Sequence, residues 1–185
     1  MINFDSTPTS LVQPYPHVWW GDPALGLDQE VPLLDPDATD EQREEFEKLR
    51  LAWEQKTGKD YQTEVDRWEA YRQAIETGEL AELGVGGERP TVFWLRPGLG
   101  KLPEYVRGLL TVSQARPQLH LVNVYRIASA VIQRVEHATG IELRWAEGEV
   151  GPVLADETMA VLRKADGLLM DIAARAVRAY EISPK

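Results

Sequence analysis

Cysteine is absent from this chain, and histidine occurs only three times in its 185 residues. Without thiols the chain can form no disulfide, no thiolate zinc site, no iron–sulfur cluster and no cysteine nucleophile. No stretch of the sequence approaches the roughly 18 apolar residues of a transmembrane helix. The start, Met-Ile-Asn-Phe-Asp, lacks the basic and apolar regions of a signal peptide. These absences predict a soluble cytoplasmic protein with no membrane partner.

The polar residues form no pattern that is typical of a catalytic or metal site. His17, His120 and His137 are far apart, and none has a second ligand at the spacing of a motif such as His-Glu-x-x-His. Acidic pairs such as Glu44 and Glu45 lie in polar runs, whereas acid–base catalysis needs a carboxyl group in an apolar cleft. We therefore expect a non-enzymatic protein with no catalytic residue, no cofactor and no metal.

One glycine-rich segment, residues 96–101, superficially resembles a nucleotide-binding loop. Such a loop needs glycine at the position of Leu95 and serine or threonine at the position of Leu102, and both are missing. The segment therefore predicts a simple turn between a strand and a helix.

Charge is distributed unevenly along the chain. Residues 1–88 contain 20 acidic and 7 basic side chains, whereas residues 89–185 contain 10 and 13, for a total net charge of −10. Because an acidic surface repels phosphate, nucleic acid is not an expected partner. The two parts of the chain should instead present two chemically different protein surfaces.

Composition further divides the chain into four segments. Residues 1–38 hold six of the twelve prolines together with many large apolar side chains, which predicts an extended arm lying against its own domain or a partner. Residues 39–83 predict an acidic helical hairpin, residues 84–90 a glycine-rich hinge, and residues 91–185 a helical body.

The hairpin prediction depends on two helical patterns. The first begins with Asp37 or Thr39 as its cap and ends at Gly58. The second runs from near Asp60 to Gly78. Two helices joined by a tight turn form an αα-hairpin, and a single kinked helix is the alternative.

The body predicts a mainly α fold, in which a helical bundle is completed by the extended arm, the αα-hairpin and a small two-stranded β element. Asp156 is expected to cap a helix at 157–165, and Gly140 to end the central, nearly encircled helix at 119–139. The predicted segments are a strand at 91–96, helices at 103–114 and 119–139, a strand at 141–145 that pairs with 91–96, a helix at 157–165, and a last helix from 166 or 167 onward.

Aromatic side chains are the candidate contacts for a protein partner. Trp19 and Trp20 are adjacent in an extended segment and so point to opposite sides, which makes it hard to bury both on one surface. The alternative is that one packs on the domain while the other is partly exposed. Trp53 and Trp68 are expected to pack against each other. The full set of candidate partner-binding residues is Trp19, Trp20, Phe46, Trp53, Trp68 and Tyr71.

Several stretches of the second half resemble the tail assembly chaperones of long-tailed bacteriophages. They are Pro90-Thr-Val-Phe-Trp-Leu-Arg-Pro97, Tyr125-Arg-Ile-Ala-Ser-Ala-Val-Ile132, Leu154-Ala-Asp-Glu-Thr-Met-Ala-Val-Leu162, and the closing helix that contains Leu168-Leu-Met-Asp-Ile172. The segment Asp22-Pro-Ala-Leu25 is similar to an arm of related phage proteins. Residues 40–77 match no part of the pattern.

The resemblance implies a function in phage assembly. The partner it implies is the tape measure protein, whose long apolar helices the chaperone keeps soluble before the tail tube polymerises. It also implies action in several copies, hence a homo-oligomer. Two other functions stay open: a phage-encoded effector that binds and modulates a host protein, which could coexist with chaperoning, and a structural tail or connector subunit of the virion.

Overall fold

The described chain is rich in helix but contains two small sheets. Six α-helices and five short strands are found, so the predicted predominance of helix is confirmed, whereas a helical bundle is not. Among the residues that the structure describes, no helix is long and apolar enough to cross a membrane. The computed structural model describes residues 13–28, 30–34, 37–77, 80, 83–85, 88–138, 141–165 and 167–180.

The elements follow one another in an irregular order of helices and strands. The helices are α1 (Asp40–Thr57), α2 (Tyr61–Thr77), α3 (Leu102–Ala115), α4 (His120–Val131), α5 (Asp156–Leu162) and α6 (Leu168–Ala179). The strands are β1 (Tyr15–Val18), β2 (Val92–Leu95), β3 (Ile132–Glu136), β4 (Trp145–Gly148) and β5 (Gly151–Leu154).

The chain folds into two compact units. The main unit comprises residues 1–19 and 91–185, and the inserted unit comprises residues 20–90. The inserted unit contains 19 acidic and 8 basic side chains, and the main unit 11 and 12. The inserted unit therefore has a net charge of −11, and the main unit has one of +1.

Residues 20–90 lie in the sequence between two neighbouring strands of the three-stranded sheet of the main unit. Its strand order is β1-β2-β3, all antiparallel, and Val18 of β1 pairs with Val92 of β2. The residues between these two neighbours in the sheet are far more numerous than a hairpin turn needs. Inside the inserted unit, the backbone N–H of Val85 donates to the carbonyl of Ala24 at 2.9 Å, so this unit also brings its own two ends together.

The third strand corrects the prediction of a helix over 119–139. Helix α4 ends at Val131, and Ile132 has extended backbone angles and begins β3. Val135 pairs with Phe93 of β2. Val131, Ile132 and Val135 fit a helical stripe, but β-branched residues also favour strands, and pairing with β2 decides between the two.

The second sheet corrects the prediction of a strand at 141–145 pairing with 91–96. Strand β4 begins only at Trp145, and it pairs with β5 in a separate two-stranded sheet. Upstream of it, the Thr158 hydroxyl accepts a hydrogen bond from the Arg144 N–H at 2.9 Å and donates one to the Glu142 carbonyl at 3.2 Å. Because a side chain occupies these backbone groups, they are not free to join a β-ladder.

Helix α4 forms the centre of the core, as predicted. It packs between α3 and α6, and Ile127, Ala128 and Val131 are fully buried. The buried side chain of Asn123 donates hydrogen bonds to the Leu109 carbonyl and the Ser113 hydroxyl of α3. This polar contact fixes α3 against α4 within an otherwise apolar interface.

Helix ends follow the sequence in α1 but not in α5. Thr39 caps α1 in a reciprocal capping box with Gln42, and Gly58 ends it with a left-handed backbone, φ 68°. The prediction that Asp156 caps α5 was wrong, because Asp156 is the first helical residue and the cap position is Ala155, without a side-chain hydrogen bond. The stops predicted at Gly78 and Gly140 lie outside the described residues.

Candidate functional site

One face of α3 is turned away from the core. The inward stripe consists of Leu102, Val106, Leu109 and Ser113, all buried at helical spacing. The neighbouring stripe consists of Lys101, Tyr105, Gly108 and Val112, which line a surface groove of about 480 Å³. Val112 lies eleven positions after Lys101, so the groove follows α3 for about 16 Å, or about three helical turns.

The opposite wall of the groove is the turn between β4 and β5. Glu149 and Val150 line it there, and Arg126 of α4 completes the lining. Arg96, at the end of β2, holds this turn in place. Its guanidinium donates to the Pro152 carbonyl and, at 3.5 Å, to the Val150 carbonyl. Burial lowers the pKa of Arg96 below its ordinary value, yet an arginine remains cationic at neutral pH.

A second depression of about 470 Å³ shares Lys101, Glu149 and Val150 with the first. The second depression is also lined by Leu99, which is 53 % exposed. Val112, which lines the first depression, is 41 % exposed. The two depressions therefore share part of their lining, and each is lined by one of these exposed apolar side chains. The remaining lining residues of the second depression are Arg96, Pro97, Gly100, Leu102 and Gln133.

The rim of the groove carries both signs of charge. Lys101 and Arg126 are basic, and Glu104 and Glu149 are acidic. The Arg126 guanidinium lies 5.9 Å from the centre of the Tyr105 ring, within range of a cation–π contact. Beside these charged groups, the lining offers the apolar side chains of Tyr105, Leu109, Val112 and Val150.

The aromatic residues predicted to contact a partner lie in both units. Trp19 is half-buried in the main unit, and the other five belong to the inserted unit. Trp53 and Tyr71 are buried, so a partner could reach them only by displacing the unit's own packing. The remaining three, Trp20, Phe46 and Trp68, are half-buried.

The inserted unit gathers these rings into two groups. Tyr61, at the start of α2, contacts the rings of Phe46 and Trp53 of α1, with centroids 5.7 and 6.4 Å away. Trp68 contacts Trp20 at 6.3 Å and Tyr71 at 5.9 Å. Trp53 thus has a ring contact with Tyr61, and Trp68 has ring contacts with Trp20 and Tyr71. Tyr61 supplies the ring that links α1 to α2.

Asp28 anchors the N-terminal part of the inserted unit onto α2. Its N–H donates to the buried Glu64 carboxylate at 3.2 Å, and its carbonyl accepts from the Trp68 indole at 3.1 Å. The hydrogen bond from Lys59 to the Asp28 carboxylate, at 2.8 Å, is the largest cause of an Asp28 pKa below its ordinary value. The acidic side chains named here therefore serve the fold.

The structure brings one histidine to a carboxylate that lies far away in sequence. His17 of β1 is 3 % exposed, and its Nε2 lies 3.0 Å from the Asp171 carboxylate of α6. His120 begins α4, and His137 follows β3 with a positive φ of 59°. Within the described residues, no group of three or more histidine and acidic side chains is placed to hold a metal ion.

No protein-family model, curated protein or solved structure matches this chain. The groove along α3, with its apolar and charged lining, is therefore the feature that bears on function.

Sequence reasoning did not find the groove, although one signal was present. Gly108 stands in the middle of a helical pattern, where glycine costs about 1 kcal/mol relative to alanine. The stripe of Lys101, Tyr105, Gly108 and Val112 could have been recognised as a second helical face. The contribution of Glu149 and Val150 could not, because it depends on how the β4–β5 turn folds back.

Proposed function

We propose that this protein is a non-enzymatic binding protein that keeps apolar helices of a partner soluble, as a phage tail assembly chaperone does for the tape measure protein. The observation that carries the proposal is the groove along α3, with apolar side chains inside it and charges of both signs at its rim. Grooves of this kind bind amphipathic helices, whose apolar face enters while the polar face stays in water.

The groove and most of the stretches that carry the resemblance lie in the main unit, although α3 itself lies between two of these stretches. The stretches similar to tail assembly chaperones include β2, most of α4, and α5, all of which belong to the main unit. The net charge of the inserted unit supports the same function, because a strongly charged body opposes aggregation of a complex that contains an apolar partner. The protein would act in the cytoplasm of the infected cell.

Co-expression with a helical fragment of the tape measure protein from the same genome tests the proposal. The wild-type chain should raise the soluble fraction of that fragment. Leu99→Asp and Val112→Asp place a charge at two exposed apolar positions of the lining and should abolish the effect. Leu49→Asp, at a position 55 % exposed on α1, is the matched control and should retain it.

Other outcomes identify the competing functions. If fragment solubility does not change while one host protein co-purifies with the chain, the protein is an effector and the chaperone proposal fails. If mass spectrometry finds the chain in purified virus particles at stoichiometric amounts, it is a structural subunit. If Leu49→Asp alone abolishes the effect, the binding surface is in the inserted unit.

A further inference from the structure

Gly108 is a glycine that its own fold does not require. It lies within α3 with an ordinary helical backbone, so no left-handed conformation calls for glycine. A Cβ atom built at this position meets no heavy atom within 4 Å, so no close packing calls for it either. The open space beside it lies in the groove, between Tyr105 and Val112 on the same stripe.

We propose that Gly108 is the contact point for a large apolar side chain of a bound amphipathic helix. This inference rests on the proposed function and specifies its binding site. Without a side chain at position 108, a ligand can approach the α3 backbone closely. Tyr105, Leu109, Val112 and Val150 then surround the incoming group with apolar surface.

The shape of the groove favours a helix over an extended segment. An extended peptide that binds by adding a strand needs the edge of a sheet, but the part of the second sheet that lines the groove is its turn, Glu149–Val150. A helix satisfies its own backbone groups, and about three turns of it match the length from Lys101 to Val112.

The charged residues of the groove predict which charges the bound helix carries beside its apolar face. Lys101 and Arg126 complement acidic side chains, and Glu104 and Glu149 complement basic ones. The occupant is therefore an amphipathic helix with a bulky apolar residue at its centre and charges of both signs beside its apolar face.

Substitutions of Gly108 in the full-length protein test the inference, because they separate folding from binding. Gly108→Ala and Gly108→Leu should raise Tm by roughly 2–4 °C, since both residues favour helix more than glycine does. Gly108→Leu should nevertheless abolish solubilisation of the tape measure fragment, and Gly108→Ala should weaken it. Ala174→Leu, at an exposed position of α6 outside the groove lining, is the matched control and should preserve it.

A second probe separates this inference from the proposed function. The dye 1-anilinonaphthalene-8-sulfonate offers an apolar ring system with an anionic group that Lys101 or Arg126 can pair. Its fluorescence with the wild-type protein should fall by at least half in Gly108→Leu and remain unchanged in Ala174→Leu. If the wild-type chain solubilises the fragment and Gly108→Leu does so equally well, the inference about Gly108 is overturned while the proposed function stands. If the wild-type chain fails with the fragment, the proposed function fails, and an unchanged dye signal in Gly108→Leu overturns the inference as well.

Discussion

Asn123 of α4 donates a hydrogen bond from its side-chain amide to the hydroxyl of Ser113 of α3 at 3.0 Å, and both side chains are buried. The same amide reaches the Leu109 carbonyl at 3.1 Å, and the Ser113 hydroxyl donates to that carbonyl at 2.9 Å. Three polar groups thus satisfy one another where α3 meets the central helix. The helix that lines the groove is held in register by this contact.

Replacing Asn123 should therefore destabilise the main unit. Asn123→Ala removes both donated bonds and leaves a cavity, so we expect the free energy of unfolding to fall by about 1–3 kcal/mol. Urea denaturation measures the loss. Ser129→Ala removes a hydroxyl that bonds only within α4 at the surface and should change stability by less than about 0.5 kcal/mol. Equal losses in the two variants would contradict a special role for the buried contact.

The capping box of α1 predicts a local effect. Thr39→Ala removes the side-chain acceptor for the Gln42 N–H and should cost about 1 kcal/mol. Hydrogen exchange of peptides from the first turns of α1 should accelerate, while peptides from α4 keep their wild-type rates. Thr111→Ala, which removes a hydroxyl bonded to the Arg107 carbonyl inside α3, serves as the control and should leave exchange in α1 unchanged.

Burial of two tyrosines predicts a loss of stability at alkaline pH. Burial raises the pKa of Tyr15 and of Tyr180 above the ordinary value of 10. Below pH 10 both hydroxyls are protonated in the folded and the unfolded chain, so their contribution to the free energy of unfolding is fully present. Above pH 10 the unfolded chain releases protons that the folded chain retains, and stability falls as pH rises.

Thermal melts between pH 8 and pH 11 check this sign. The Tm of the wild-type protein should decline above pH 10, and the decline should be shallower in Tyr15→Phe. Between pH 6 and pH 8 the two proteins should show the same pH dependence. A decline that is as steep in Tyr15→Phe as in the wild type would rule out Tyr15 as a source of the effect.

The two units predict separate responses to core substitutions. Trp53 is buried in the inserted unit and Ile127 in the main unit. Trp53→Ala should cost about 3–5 kcal/mol and Ile127→Ala about 2–5 kcal/mol, each in its own unit. Hydrogen exchange should accelerate over α1 and α2 in the first variant and over α4 and α6 in the second. Uniform acceleration in either variant would mean that the chain unfolds as one cooperative body.

Local signals in the sequence identified most elements correctly. Thr39 and Gly58 marked the ends of α1, β-branched and aromatic residues between two prolines marked β2, and the wide apolar face of α4 marked the central helix. Each of these signals acts within one element, through capping, propensity or periodicity.

The errors occurred where a distant residue decides the structure. Strand β3 continues the apolar pattern of α4, and its pairing with β2 is a contact that periodicity does not contain. Thr158 occupies backbone groups of Glu142 and Arg144, which keeps them out of the sheet. The candidate site was missed for the same reason, because Gly108 and Val150 come to line one groove only after folding.

The pairing of Val18 with Val92 has a consequence for how this chain folds. In a flexible chain, joining β1 to β2 across residues 19–91 would carry the entropy cost of closing a long loop. The hydrogen bond between Ala24 and Val85 closes most of that loop from within the inserted unit. If residues 20–90 fold first, the two strands meet as though a short turn joined them. A substitution that unfolds residues 20–90 would then restore the long loop and weaken the pairing of β1 with β2, although it touches neither strand.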